Sequence, residues 1–108
     1  MKIPPIRLLT AMIAMIVSLP SSAADTYLTG NITNLTSTGG GLLIMLDSGI
    51  PVNCTGTPYN WLLIRAENKA MIALTLTMYS LGKKNATVYT NPVTPGSFCE
   101  INQYDPSE

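Results

Sequence analysis

Histidine is missing from the 108 residues, phenylalanine and tryptophan occur once each, and cysteine only twice. Without histidine the chain lacks the side chain that most often serves as general base and metal ligand near neutral pH. Two cysteines alone leave a zinc site short of its usual ligands, so no metal is expected. Charge is scarce as well, at 11% of residues. The only basic cluster is Lys83-Lys84, where a nucleic-acid binder would carry a basic stripe, so nucleic acid is excluded as a partner. The carboxylates Asp47, Glu67, Glu100 and Asp105 are scattered. No spacing among them marks a catalytic dyad, and they read as solvated charges. Gly39-Gly40-Gly41 lacks the following Lys-Ser/Thr of a phosphate cradle and reads as a hairpin turn. No catalytic residue and no cofactor is expected.

The chain also lacks an apolar run of the about 20 residues that a membrane-crossing helix needs. The apolar stretch 8–19 holds 12 residues. It follows Lys2 and Arg7 and is followed by Pro20-Ser21-Ser22-Ala23-Ala24. A positive start, a short apolar segment and small residues at −3 and −1 of a cut are the parts of a secretory signal peptide. Residues 1–24 are therefore expected to be a signal peptide, and 25–108 a single exported domain, periplasmic or secreted, with no membrane span after cleavage. That domain carries Arg65, Lys69, Lys83 and Lys84 against Asp25, Asp47, Glu67, Glu100, Asp105 and Glu108, a net charge of −2. So few charges leave room for an interface between subunits.

A domain of this size buries only about two thirds of the surface its unfolded chain exposes, so a covalent constraint is valuable. Cys54 and Cys99 are expected to supply it as a disulfide in an oxidising compartment. The loop they close is 46 residues counted inclusively, which the chain-entropy model credits with about 4 kcal/mol.

Along residues 25–108 the pattern predicts three strands, one helix and two strands. Residues 26–35 read as a first strand, rich in threonine and only partly alternating. The apolar run 42–46 follows the glycine turn as a buried second strand. After an irregular stretch with Gly56 and Pro58, residues 60–65 form a third strand. The spacing predicts a helix over 68–81, with Asn68 as N-cap, Gly82 as its C′ residue, and Lys83-Lys84 where the helix dipole favours cations. Met71, Leu74, Met78 and Leu81 form one apolar stripe, either a core face or a face that meets another subunit. A second apolar set, Ile72, Leu76 and Tyr79, extends around the cylinder. Residues 85–90 and 98–104 complete the set as strands four and five. A helix between strands three and four of five is the arrangement of an OB-like barrel, whose closure also protects its edges.

Trp61 and Tyr59 are the candidate ligand-binding residues, since aromatic rings offer a platform for a sugar. Trp61 reads first as a core anchor at the start of the third strand, and Tyr59, in the Pro58 loop, is the better surface candidate. Asn31, Asn34, Asn53 and Asn85 each open an Asn-x-Thr triplet, and the set reads as composition in a chain rich in both residues.

Cys54, Trp61, the helix from Met71 to Leu81, the Tyr79-Ser80-Leu81-Gly82-Lys83 turn and Cys99 together resemble the OB-fold B subunits of bacterial AB-type toxins, the subtilase-cytotoxin and pertussis-like group. The resemblance covers 52–108. It implies a ring-forming, non-enzymatic domain that binds a glycan or a protein partner. No glycan-contact residue of that family is matched here. The alternative is a monomeric exported structural or inhibitory protein that pairs with one protein partner.

Overall fold

A computed structural model describes residues 26–107; the expected signal peptide, 1–24, lies outside the described residues. The described residues are mainly β with one α-helix. Its strands are β1 (Tyr27–Thr38), β2 (Gly41–Leu46), β3 (Leu62–Arg65), β4 (Asn85–Thr90) and β5 (Cys99–Pro106). One helix, α1 (Lys69–Ser80), lies between β3 and β4. The five strands close into a ring in the spatial order β1-β2-β3-β5-β4. All neighbours are antiparallel except β3 and β5, which pair in parallel through Leu62 with Cys99 and Leu63 with Glu100.

Two bulges explain why the sequence alternates only in part. In β1, Ile32 pairs with Leu46 and Asn34 with Met45, which leaves Thr33 unpaired. An extra residue reverses the phase of a strand. Leu28, Gly30 and Ile32 turn inward before the bulge, and Leu35 packs against the core beyond it. In β5, Gln103 pairs with Tyr89 and Ile101 with Thr90, so Asn102 is the extra residue. Cys99 and Ile101 are buried before it and Tyr104 after it. Regular alternation would have placed Tyr104 on the opposite face from Ile101. β4, without a bulge of its own, reads cleanly: Ala86, Val88 and Thr90 inward, Asn85, Thr87 and Tyr89 outward.

The strand ends differ from expectation where pairing or turns decide them. β1 runs to Thr38 because Thr36, Ser37 and Thr38 pair with Leu43, Leu42 and Gly41 across a two-residue turn. β3 begins at Leu62 because Pro58–Asn60 forms a 3-10 turn in which Tyr59 and Asn60 have φ of 53° and 63°. β5 begins at Cys99 and continues past Tyr104, pairing Asp105 with Thr87 and Pro106 with Ala86.

Ile32, Leu42, Ile44, Leu46, Leu62, Ile64, Val88 and Ile101 fill the ring, with Cys54 and Cys99 buried among them. The expected disulfide is present, with Cα atoms 5.4 Å apart. Asn68 occupies the N-cap position but makes no side-chain cap bond. At the other end Gly82, with φ of 80°, closes a Schellman motif: Lys83 N–H donates to the Met78 carbonyl at 2.9 Å and Gly82 N–H to Tyr79 at 3.0 Å. Among the described residues no helix is long and apolar enough to cross a membrane. That fact and the disulfide are compatible with export.

The expected stripe on α1 divides. Met71 and Met78 pack against the core with Ile72 and Tyr79, and Thr75 between them is fully buried. Leu74 and Leu81 are 41% and 65% exposed, and Leu76 is 40% exposed. The inward face is thus Met71, Ile72, Thr75, Met78 and Tyr79, the i, i+1, i+4, i+7, i+8 pattern of one helical stripe. Burying Thr75 leaves no orphan, because its hydroxyl donates to the Met71 carbonyl at 2.8 Å.

Candidate functional site

Four chain segments converge at one end of the ring: the bulge of β1, the end of β2, the turn from α1 into β4, and the residue after β5. They are tied together by backbone bonds from Ile32 N–H to Lys84 O, from Asp47 N–H to Asn31 O and from Ser107 N–H to Asn85 O. Between them lies an open cleft of about 730 Å³, lined by Asn31, Ile32, Thr33, Asp47, Gly82, Lys83, Lys84, Asn85 and Ser107.

The polar side chains of this cleft form one connected row. Ser107 Oγ donates to Asn85 Oδ1 at 2.8 Å, and Asn85 Nδ2 donates to Asn31 Oδ1 at 3.2 Å. Asn31 in turn gives Asp47 two bonds, its backbone N–H at 2.8 Å and its side-chain amide at 3.2 Å. Those two donors, the backbone one foremost, hold the Asp47 carboxyl below the usual carboxylate range. Asp47 is therefore a committed anion at neutral pH, suited to accepting hydrogen bonds rather than to taking a proton. Gly30 is needed beneath it: a Cβ there would collide with Ser48 Oγ and come within 2.9 Å of Asp47 Oδ1. On the cationic side, Lys84 Nζ lies 5.0 Å from the centre of the Tyr79 ring.

The row continues as the outer face of the adjoining strands. Asn31, Thr29 and Tyr27 of β1 stand opposite Asn85, Thr87 and Tyr89 of β4. Thr29 and Thr87 hydroxyls are 2.6 Å apart, and the Tyr27 and Tyr89 ring centres 5.8 Å apart. β5 adds Asp105 opposite Thr87 and Gln103 opposite Tyr89.

The other charges do not join the site. Glu67 and Glu100, distant in sequence, meet on Arg65: its Nε donates to Glu67 and its Nη1 to Glu100, both at 2.8 Å. The bond from Arg65 lowers the Glu67 carboxyl, and the two glutamates raise Arg65. Among the described residues no three histidine, cysteine, aspartate or glutamate side chains gather where a metal ion would sit.

Tyr59 and Trp61 do not line the cleft. Tyr59 is 85% exposed on the 3-10 turn and Trp61 is half-buried just before β3. The turn is fastened by Thr57, whose buried hydroxyl donates to Trp61 O at 2.8 Å and accepts the Cys99 N–H at 2.9 Å. Tyr104 turns inward and Tyr89 outward, so these neighbouring tyrosines do not form a pair. Asn53 is occupied internally: its amide donates to Thr90 O at 3.1 Å and accepts the Thr90 hydroxyl at 2.6 Å.

Composition concealed the residues that build the cleft. Asn31 and Asn85 open two of the Asn-x-Thr triplets, Asn31-Ile32-Thr33 and Asn85-Ala86-Thr87. Their shared pattern is the sequence trace of two strands with polar outer faces, and pairing sets the two asparagines opposite each other.

No protein-family model, curated protein or solved structure matches the chain.

Proposed function

We propose that this chain is a small exported, non-enzymatic binding domain of OB-like architecture, similar to the ring-forming B subunits of bacterial toxins, and that it takes a glycan in the cleft at Asn31, Asp47, Asn85 and Ser107. The observation that carries the reading is the connected row of amides, carboxylate and hydroxyl along the cleft, from Ser107 through Asn85 and Asn31 to Asp47. A sugar presents closely spaced hydroxyls that both donate and accept. Side chains already held by one another lose little freedom on meeting them, so more of each new bond appears as affinity. A ring of five strands with the helix between the third and fourth supports the OB-like assignment. The engaged, low-pKa Asp47 and the Arg65-bridged glutamates support binding over acid-base catalysis.

Self-association is supported by Leu74 and Leu81, which lie together on one flank of α1 and are exposed. A second copy of the chain is the occupant this reading assigns to that side. The glycan reading is tested on an array probed with the wild-type protein and with Asp47→Asn. The wild type should retain a restricted set of glycans, and the variant should bind that set about tenfold more weakly, as expected for loss of one charge-assisted hydrogen bond. No retained glycan, or equal retention by both proteins, would overturn it.

A further inference from the structure

The cleft reading covers only one end of a larger surface. The outer face of β1, β4 and β5 forms three successive rows. The first is Tyr27, Tyr89 and Gln103; the second is Thr29, Thr87 and Asp105; the third is Asn31 and Asn85 with Ser107, whose backbone bonds to Asn85. One residue in this set is charged. Side chains two apart on a strand lie about 7 Å from each other, so the face runs roughly 13 Å from the tyrosines to the cleft.

Building on the cleft reading, we propose that the ligand is an extended oligosaccharide of pyranose rings, with one end in the cleft and an uncharged chain running along the outer face of β1 and β4 to Tyr27 and Tyr89. Each row offers what a pyranose presents in turn. The tyrosine rings are tilted at 35° with centres 5.8 Å apart, and Tyr27 is 53% exposed, so an apolar ring face is free to receive the C–H side of a sugar. The Thr29 and Thr87 hydroxyls share one hydrogen bond between them, so one hydroxyl hydrogen remains for a ligand oxygen. Asn85 uses one of its two amide hydrogens on Asn31, and the second remains free. At the cleft end Asp47 stands with Lys83 and Lys84, and Asp105 lies at one side of the rows; the rows themselves call for no cation or anion, so the part of the occupant that lies on them is a neutral polyol. Between β1 and β4, and between β4 and β5, the backbone is already paired, so the rows themselves offer side chains rather than open backbone.

The test is calorimetric titration of the wild-type protein, Tyr27→Ala and the double variant Tyr27→Ala/Tyr89→Ala with chito-, malto- and cello-oligosaccharides of one to six rings. Circular dichroism confirms that each variant is folded. The proposal expects affinity for one series to rise about tenfold or more from one ring to three and then level off. The tyrosine variants should lose that gain while keeping the wild-type affinity for the single ring. Equal affinity at every length, or a length-dependent gain that survives both tyrosine substitutions, overturns the extended site while leaving the cleft reading intact. Failure of all three series to bind overturns the proposal, and the array with Asp47→Asn then judges the cleft on its own.

Discussion

Buried beside the disulfide, the Thr57 hydroxyl joins the Cys99 N–H to the Trp61 carbonyl. Valine at this position would keep the shape and lose both bonds, leaving a buried N–H without a partner at a cost of about 1–3 kcal/mol. Urea denaturation of Thr57→Val should show that loss, and Thr57→Ser should recover most of it. Tyr104 presents the opposite case. Its side chain is buried and, among the described residues, its hydroxyl has no hydrogen-bond partner. Burial raises its pKa above the ordinary tyrosine value. A folded-state pKa above the unfolded one means that stability is intact below the unfolded value, near 10, and is lost as pH rises through the folded one. Tyr104→Phe should therefore leave stability at neutral pH equal or slightly higher, and should flatten its decline in denaturation series taken above about pH 10.

Among the elements, β4 and α1 show how far pattern reading reaches. β4 was legible to the residue because Asn85–Thr90 alternates without interruption and both its neighbours accept that phase. The limits of α1 were legible from Asn68 and Gly82, since only glycine takes the positive φ of the closing turn without strain. Its inward face was not. Apolar residues surround the helix, so periodicity offers more than one stripe, and the buried centre is Thr75, a residue whose hydroxyl is satisfied locally. The bulges at Thr33 and Asn102 were hidden for a related reason: a phase reversal looks like poor alternation until the partner strand is known. The cleft combines both difficulties, because its residues come from four segments and only pairing brings Asn31 opposite Asn85. Exposed Leu74 and Leu81 carry the element-scale prediction. Leu74→Lys/Leu81→Lys should change the stability of the chain by no more than about 0.5 kcal/mol per site, as is usual for surface positions. Light scattering coupled to size exclusion should show a multiple of the chain mass for the wild type and a single chain for the double variant. A single-chain mass for the wild type would remove the ring and favour pairing with one protein partner.

In the molecule as a whole, the short parallel contact of β3 with β5 closes the ring, and the disulfide lies at that seam: Cys99 is itself the residue paired with Leu62. Cys54→Ala/Cys99→Ala should lower stability by about 4 kcal/mol on the chain-entropy model, read as a reduced denaturation midpoint with a steeper slope, because the unlinked unfolded chain exposes more surface. The cleft lies at the junction of β1, β2, β4 and the residue after β5, so a ligand there is held by the frame of the ring rather than by one loop. The measurement that tests this account most directly is a heteronuclear NMR titration of the ¹⁵N-labelled protein with the glycan best retained on the array. The account predicts shifts centred on the backbone amides of Asn31, Asp47, Lys84, Asn85 and Ser107. Shifts confined to the turn around Tyr59 and Trp61, with the cleft amides unmoved, would contradict it.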